Sequence, residues 1–251
     1  MISRRGLIGG ALTFPLACGC ANAANDGCNV EGAAAETLIN QLPRTYSFNG
    51  KEEIIYSSGN ELLDRALTRA LYRLSQDFEV LPGFGYLPNL DTALATQATR
   101  LARADGTVLF GLPFLQRTLR RPEHPDACVV SICAHEFAHI YQYKSNLHKA
   151  LRQHQQASIE LHADFLSGWF SGVRKRNNPD YPSVVFATLA RDIQSNFGAS
   201  RETHGTPEDR GRAVEAGFLS AARDNLTLYQ AAQEGLRYLD ASRTASDNGR
   251  R

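Results

Sequence analysis

The sequence predicts a mainly α fold with a small sheet, an α+β arrangement in one domain. Three observations carry this reading. Apolar residues recur at helical spacing along most of the chain, strand-like runs are few and short, and no linker-like stretch splits residues 33–240.

Taken in order, residues 24–32 read as a loose arm and Ala33–Leu42 as a short helix. Glu53–Tyr56 is a short strand candidate. Leu62, Leu63, Ala66, Leu67, Ala70, Leu71 and Leu74 share one face, so 60–77 is an amphipathic helix. Phe78–Pro88 holds two prolines and two glycines and reads as irregular. Short strands are expected at 93–97 and 107–111; in the second, Thr107-Val108-Leu109-Phe110 sets β-branched and aromatic residues between glycines. A helix at 113–121 follows. His124-Pro125-Asp126 then opens a long helix, because Pro suits the first helical position and Asp the electropositive N-terminus. Further helices fit 156–174, 183–195, 207–223 and 225–240. Residues 241–251 are small, polar and charged, and read as a disordered tail. The domain is thus 24–240, behind an N-terminal segment 1–23.

That segment reads as an export signal. Arg4 and Arg5 precede Gly6–Ala17, which is uncharged, mostly apolar and too short for a membrane helix, and Ala21-Asn22-Ala23 offers a small-x-small cleavage site. Ser3-Arg4-Arg5-Gly6-Leu7-Ile8 resembles the twin-arginine signal, with an ordinary secretory signal as the alternative. Cys18 and Cys20 loosely resemble a lipoprotein box but lack Leu three residues before the cysteine, so a free and a lipid-anchored N-terminus both stay open. The expected location is the periplasm or cell envelope. The mature chain has no apolar run long enough to span a bilayer. A net charge of +1, from 27 basic and 26 acidic residues without a basic block, gives no support to nucleic-acid binding.

Beyond the signal, the cysteines are Cys28, Cys128 and Cys133. The last two, on one helix, point about 140° apart. A bridge from Cys28 to Cys128 or Cys133 is one reading; three small buried hydrophobes is the other.

Residues 134–142, Ala-His-Glu-Phe-Ala-His-Ile-Tyr-Gln, contain H-E-x-x-H. On a helix His135 and His139 lie on one face about 6 Å apart, within reach of a single Zn²⁺. Glu136 is rotated about 100° from His135, which suits a general base acting on a water rather than a ligand. The apolar flanks, Val129-Val130-Ile132 and Phe137-Ala138-Ile140, make this a buried helix, where two histidines and a glutamate without partners are costly. On the next helix Glu160 and Asp164 are again i and i+4. Glu160 completes a His₂Glu ligand set, and Asp164 can accept the second N–H of a ligand histidine, most simply His135.

Here the chain resembles the gluzincin metallopeptidases, thermolysin-like enzymes with H-E-x-x-H on one helix and E-x-x-x-D on the next. Glu160-Leu161-His162-Ala163-Asp164 follows that pattern. The resemblance covers roughly residues 89–215 and implies a zincin-like helical domain whose edge strand borders the active site. In that family a strand of the N-A-x-A type pairs with substrate; Ala93-Leu94-Ala95 stands in the corresponding place, with Thr92 where the family has Asn. Thr203-His204-Gly205-Thr206 with Arg210 is similar to a segment of bacterial neutral zinc metallopeptidases, and to one in gluzincins of the prenyl-protein protease group. His204 is either an oxyanion donor or a residue at a helix entry, where Thr203 or Thr206 caps the helix beginning at Pro207. Arg210 either pairs with an acidic residue of the site or is solvated. His162 faces away from Glu160 and Asp164 and is read as a non-ligand. His124, His148 and His154 are expected at the surface. Tyr141 and Tyr143 line the cleft or belong to the core.

The expectation is an exported zinc metalloendopeptidase with one Zn²⁺ and a peptide or protein substrate. The alternative is a non-catalytic, zinc-bound envelope protein of binding or chaperone-like type. An intact Glu136 argues against the alternative, since a structural zinc site closes its fourth position and has no use for a base.

Overall fold

A computed structural model describes residues 46–48, 52–98, 104–152, 156–182 and 205–248. Strands β1 (Tyr46–Phe48) and β2 (Glu52–Ile54) form an antiparallel pair. Helix α1 (Glu61–Asp77) follows, started by Asn60, whose side chain accepts from the amides of Leu62 and Leu63. Its buried face carries Leu67, Leu71 and Leu74, as the helical spacing predicts.

A second, three-stranded sheet has the order β3 (Gly83–Leu87), β5 (Thr107–Gly111), β4 (Ala93–Thr96), with β3 parallel and β4 antiparallel to the central β5. β3 corrects the expectation of irregular chain over 78–88. Its glycines read as turn signals, but Gly85 is there for closeness: a Cβ on it would lie 2.2 Å from Cγ2 of Ile54. An isolated antiparallel bridge, Ile55 to Tyr86, joins the first sheet to the second at this point.

Helix α2 (Leu112–Leu119) leads to α3 (Pro125–Lys144), and a short α4 (Leu147–Arg152) that the sequence reading lacked comes next. His124 takes a left-handed backbone conformation before α3 (φ 44°), and Pro125 begins the helix. Helices α5 (Gln156–Asn177), α6 (Pro207–Ala222) and α7 (Leu228–Asn248) complete the described chain. Thr206 caps α6 in a reciprocal capping box with Asp209. α7 runs on to Asn248, past residue 240, where the sequence reading begins a tail. The expected helices at 33–42 and 183–195, and the export segment, lie outside the described residues.

α3 is the central element. It is buried nearly all round, and Phe137, Ala138 and Ile140 are fully enclosed between the sheet, α1 and α5. Phe78, at the end of α1, stacks on Phe170 and meets Trp169 edge-on, both at 5.9 Å, which ties α1 to α5. α5 and α6 run side by side in contact of backbone on backbone. A Cβ on Gly168 would lie 2.1 Å from the carbonyl of Val214, one on Gly172 2.3 Å from that of Phe218, and one on Gly217 1.8 Å from that of Phe165. No helix among the described residues is long and apolar enough to cross a membrane.

Candidate metal centre

Two buried helices supply the site. His135 and His139 project from α3 and Glu160 from α5. Nε2 of His135 lies 3.1 Å from Nε2 of His139. Oε2 of Glu160 is 3.4 Å from His135 Nε2, and its Oε1 is 3.6 Å from His139 Nε2. Donors bound to one ion at 2.0–2.1 Å and tetrahedral angles stand about 3.3 Å apart, so these separations fit a single small cation. The three residues can therefore hold a metal ion.

The surroundings orient the donors. Nδ1 of His135 lies 2.9 Å from Oδ1 of Asp164, off the line of a well-formed hydrogen bond but within ion-pair reach. A carboxylate only accepts, so Nδ1 carries the proton and Nε2 presents its lone pair to the cluster. Asp164 is held in turn by Arg210, whose Nε donates to Oδ2 at 2.6 Å and Nη2 to Oδ1 at 2.9 Å. Of the two readings of Arg210, the paired one holds. Arg210 sits in the first turn of α6, and the glycine contacts between α5 and α6 bring it close. Asp164, Gly168 and Gly172 step by four along α5, opposite Arg210, Val214 and Phe218 stepping by four along α6.

The electrostatics mark a place that stabilises positive charge. Burial lowers the basicity of His135, but Asp164, Glu160 and Glu136 outweigh it and hold the imidazolium up to about 10. His139 is shifted upward as well, burial being outweighed by Glu160. Burial acts to raise Glu160, yet the two imidazoles hold it well below the usual carboxylate range. Asp164 is held low against burial by Arg210 and His135. Glu136 goes the other way. It is only 4% exposed, and burial raises it above an ordinary carboxylate despite the neighbouring imidazoles. It stays outside the ligand group, as the helical rotation predicts.

β4 packs on α3 at the end of its sheet. The Gly111 amide donates to the Thr92 carbonyl, so with alternating antiparallel pairing Leu94 and Thr96 bond to β5. Ala93 and Ala95 present their N–H and C=O to the outer edge, where the Tyr143 hydroxyl reaches the Ala95 carbonyl at 3.5 Å. Within the expected substrate strand, then, Ala93 and Ala95 have outward backbone, whereas Leu94 has its backbone on β5 and its side chain packed near Ile54 and Leu109.

Other sequence candidates divide. His124 is exposed, as expected. His148 is a correction: it is buried, 3.0 Å from Gln97 Nε2 and 3.2 Å from the Gln142 carbonyl, because α4 folds back over the end of α3. His162 is turned from the ligand cluster toward the Ala232 carbonyl at 3.0 Å. Cys128 and Cys133 are buried free thiols, both raised by burial, in keeping with their reading as small hydrophobes. Cys28, His154 and His204 lie outside the described residues. Gln142 carries no motif of its own, and its one sequence signal is the i+3 spacing from His139 that places it on the same helix face. No family model, no curated protein and no solved structure matches the chain.

Proposed function

We propose that this protein is an exported zinc metallopeptidase. The observation that carries the reading is the convergence of His135, His139 and Glu160 at tetrahedral spacing with a buried, unligated carboxylate, Glu136, on the next residue of the same helix. Imidazole and carboxylate donors in a His₂Glu set suit zinc. Zinc held there would supply a Lewis acid that acidifies water and polarises a carbonyl oxygen.

The chain's own groups supply the rest. Glu136 takes the proton of the attacking water and delivers it to the leaving amine nitrogen. Its raised proton affinity suits both transfers, because a base that is too weak neither takes nor returns the proton efficiently. Asp164 and Arg210 hold His135 in one orientation. The outward N–H and C=O of the half-buried Ala95 offer an extended peptide an antiparallel partner, with Tyr143 yielding its contact; at Ala93, which is buried, the carbonyl accepts from the Thr92 hydroxyl and would have to exchange that bond. His204 is proposed as an oxyanion donor, and His204→Ala should lower turnover without releasing metal. Export rests on the twin arginine and cleavage site: Arg4→Lys with Arg5→Lys should block transport on a twin-arginine route.

The deciding experiment is zinc analysis together with hydrolysis of a peptide library by the purified mature protein, with and without chelator. Chelator-sensitive, zinc-restored cleavage supports the proposal. A zinc-loaded protein that cleaves no peptide overturns the peptidase reading in favour of a binding module.

A further inference from the structure

The two ligand histidines are backed by unlike partners. His135 faces a carboxylate clamped by an arginine. Nδ1 of His139 faces a neutral amide, Gln142 Oε1, at 3.0 Å. Gln142 is fully buried, and its orientation follows from what surrounds it. Its Nε2 lies 2.9 Å from the carbonyl of Ile159 on α5, and a carbonyl only accepts, so the amide nitrogen must point there. Oε1 is then the atom turned to His139, and His139 Nδ1 must carry a proton. The second hydrogen of the Gln142 amide goes to Nδ1 of His162, 3.1 Å away. His162, also fully buried, donates from Nε2 to the carbonyl of Ala232 on α7 at 3.0 Å. Each donated hydrogen in this chain has one acceptor, and the carbonyls of Ile159 and Ala232, which can only accept, fix its direction. Gly235, one turn along α7, lets the helix approach: a Cβ there would lie 3.0 Å from Cδ2 of the His162 ring.

We propose that Gln142 and His162 are positioning residues for His139, forming a one-way hydrogen-bond chain from α7 through α5 to α3. The chain holds His139 as its Nδ1–H tautomer, with the Nε2 lone pair turned to His135 and Glu160. The proposal rests on the metal-centre reading and adds to it that the C-terminal helix helps set the metal affinity.

The test uses the full mature chain and zinc alone. Zinc dissociation constants are measured by competition with a chromophoric chelator for Gln142→Leu, His162→Leu and His162→Gln. Loss of an outer partner of a ligand histidine weakens binding roughly 10–100-fold, which is expected for both leucine variants. His162→Gln can still accept from Gln142 and donate to Ala232, and should return affinity to near wild type, which a purely space-filling role would not produce. In zinc-loaded wild type the His139 Nδ1–H resonance should be protected from exchange, and should lose that protection in Gln142→Leu. Folded leucine variants with wild-type zinc affinity, or an unprotected Nδ1–H in the wild type, would overturn the proposal. If the wild type binds no zinc, the metal-centre reading fails by itself. Hydrogen exchange of the Gln142 side-chain amide in metal-free protein then decides the chain, slow exchange supporting it and fast exchange refuting it.

Discussion

Arg210 grips both carboxylate oxygens of Asp164, and one of those oxygens lies 2.9 Å from Nδ1 of His135. The outermost member of this triad stands on a different helix from the ligand, and it is only 4% exposed. Removing the guanidinium leaves a buried carboxylate whose remaining partner is an imidazole. Arg210→Met should cost about 3–5 kcal/mol in folding stability, the usual effect of breaking a buried pair from one side. Zinc affinity should fall in parallel, since Asp164 loses its fixed orientation. Chemical denaturation and zinc competition on the same preparation measure both; a variant with wild-type values in each would show that Arg210 does not support the site.

Gly168→Ala tests how α6 delivers that arginine. The new methyl would meet the Val214 carbonyl at 2.1 Å, and backbone cannot rotate out of the way as a side chain can. The helices must separate, at a cost of about 1–3 kcal/mol for overpacking. The Asp164–Arg210 pair, one step along the same contact, should loosen with it. The expected signature is a lower unfolding midpoint together with weaker zinc binding, although residue 168 touches no ligand. Full zinc affinity in a destabilised variant would mean that the ion pair survives the separation.

Glu136→Gln separates chemistry from binding. The amide keeps the shape but cannot take a proton, and Glu136 is not among the ligands. Zinc content and fold should be retained while turnover drops by at least ~10²-fold. Asp164→Asn should differ by lowering metal affinity or activity about 10–100-fold while the base stays intact. Peptide hydrolysis normalised to bound zinc distinguishes the two, and a zinc-loaded Glu136→Gln protein at wild-type rate would exclude Glu136 as the base.

The buried His162 makes folding sensitive to mild acid. Burial holds it at about 4, against an ordinary 6.5. The unfolded chain takes up this proton first, so the contribution of neutral His162 is complete above about 6.5 and is lost as pH falls toward 4, a span worth about 3 kcal/mol. His135 and His139, whose basicity rises on folding, contribute a constant amount below 6.5 and leave the window clear. Glu136, raised by burial, has the opposite trend there and is common to wild type and variant. Metal-free wild type should therefore lose more stability between pH 7 and 4.5 than His162→Gln. Parallel stability curves would mean that folding does not lower the proton affinity of His162.

The ligand histidines, Glu136 and the pair Glu160 and Asp164 were legible in the sequence because helical geometry is local. Spacings of one and four residues on a helix dictate which side chains share a face, and neither of the two helices needs its neighbours to have that property. The same locality made α1, α3 and α6 readable, down to Pro125 at a helix start, while the choice between Thr203 and Thr206 as the cap of α6 fell to the structure. β3 was not readable, because Gly83 and Gly85 signal a turn until Ile54 is seen against Gly85. Only the tertiary structure decided what backs each ligand. Arg210 is 46 positions from Asp164 and Ala232 is 70 from His162, and no periodicity links residues on separate helices. Gly168, Gly172 and Gly217 acquire meaning when two backbones touch; His148 becomes a buried polar group once α4, which carries it, folds back over the end of α3, and His162 once α7 covers it. The identities of the candidate ligands and of Glu136 are carried by spacing along single helices; their orientation is carried by packing between helices, which depends on shape and burial that one strand of sequence does not display.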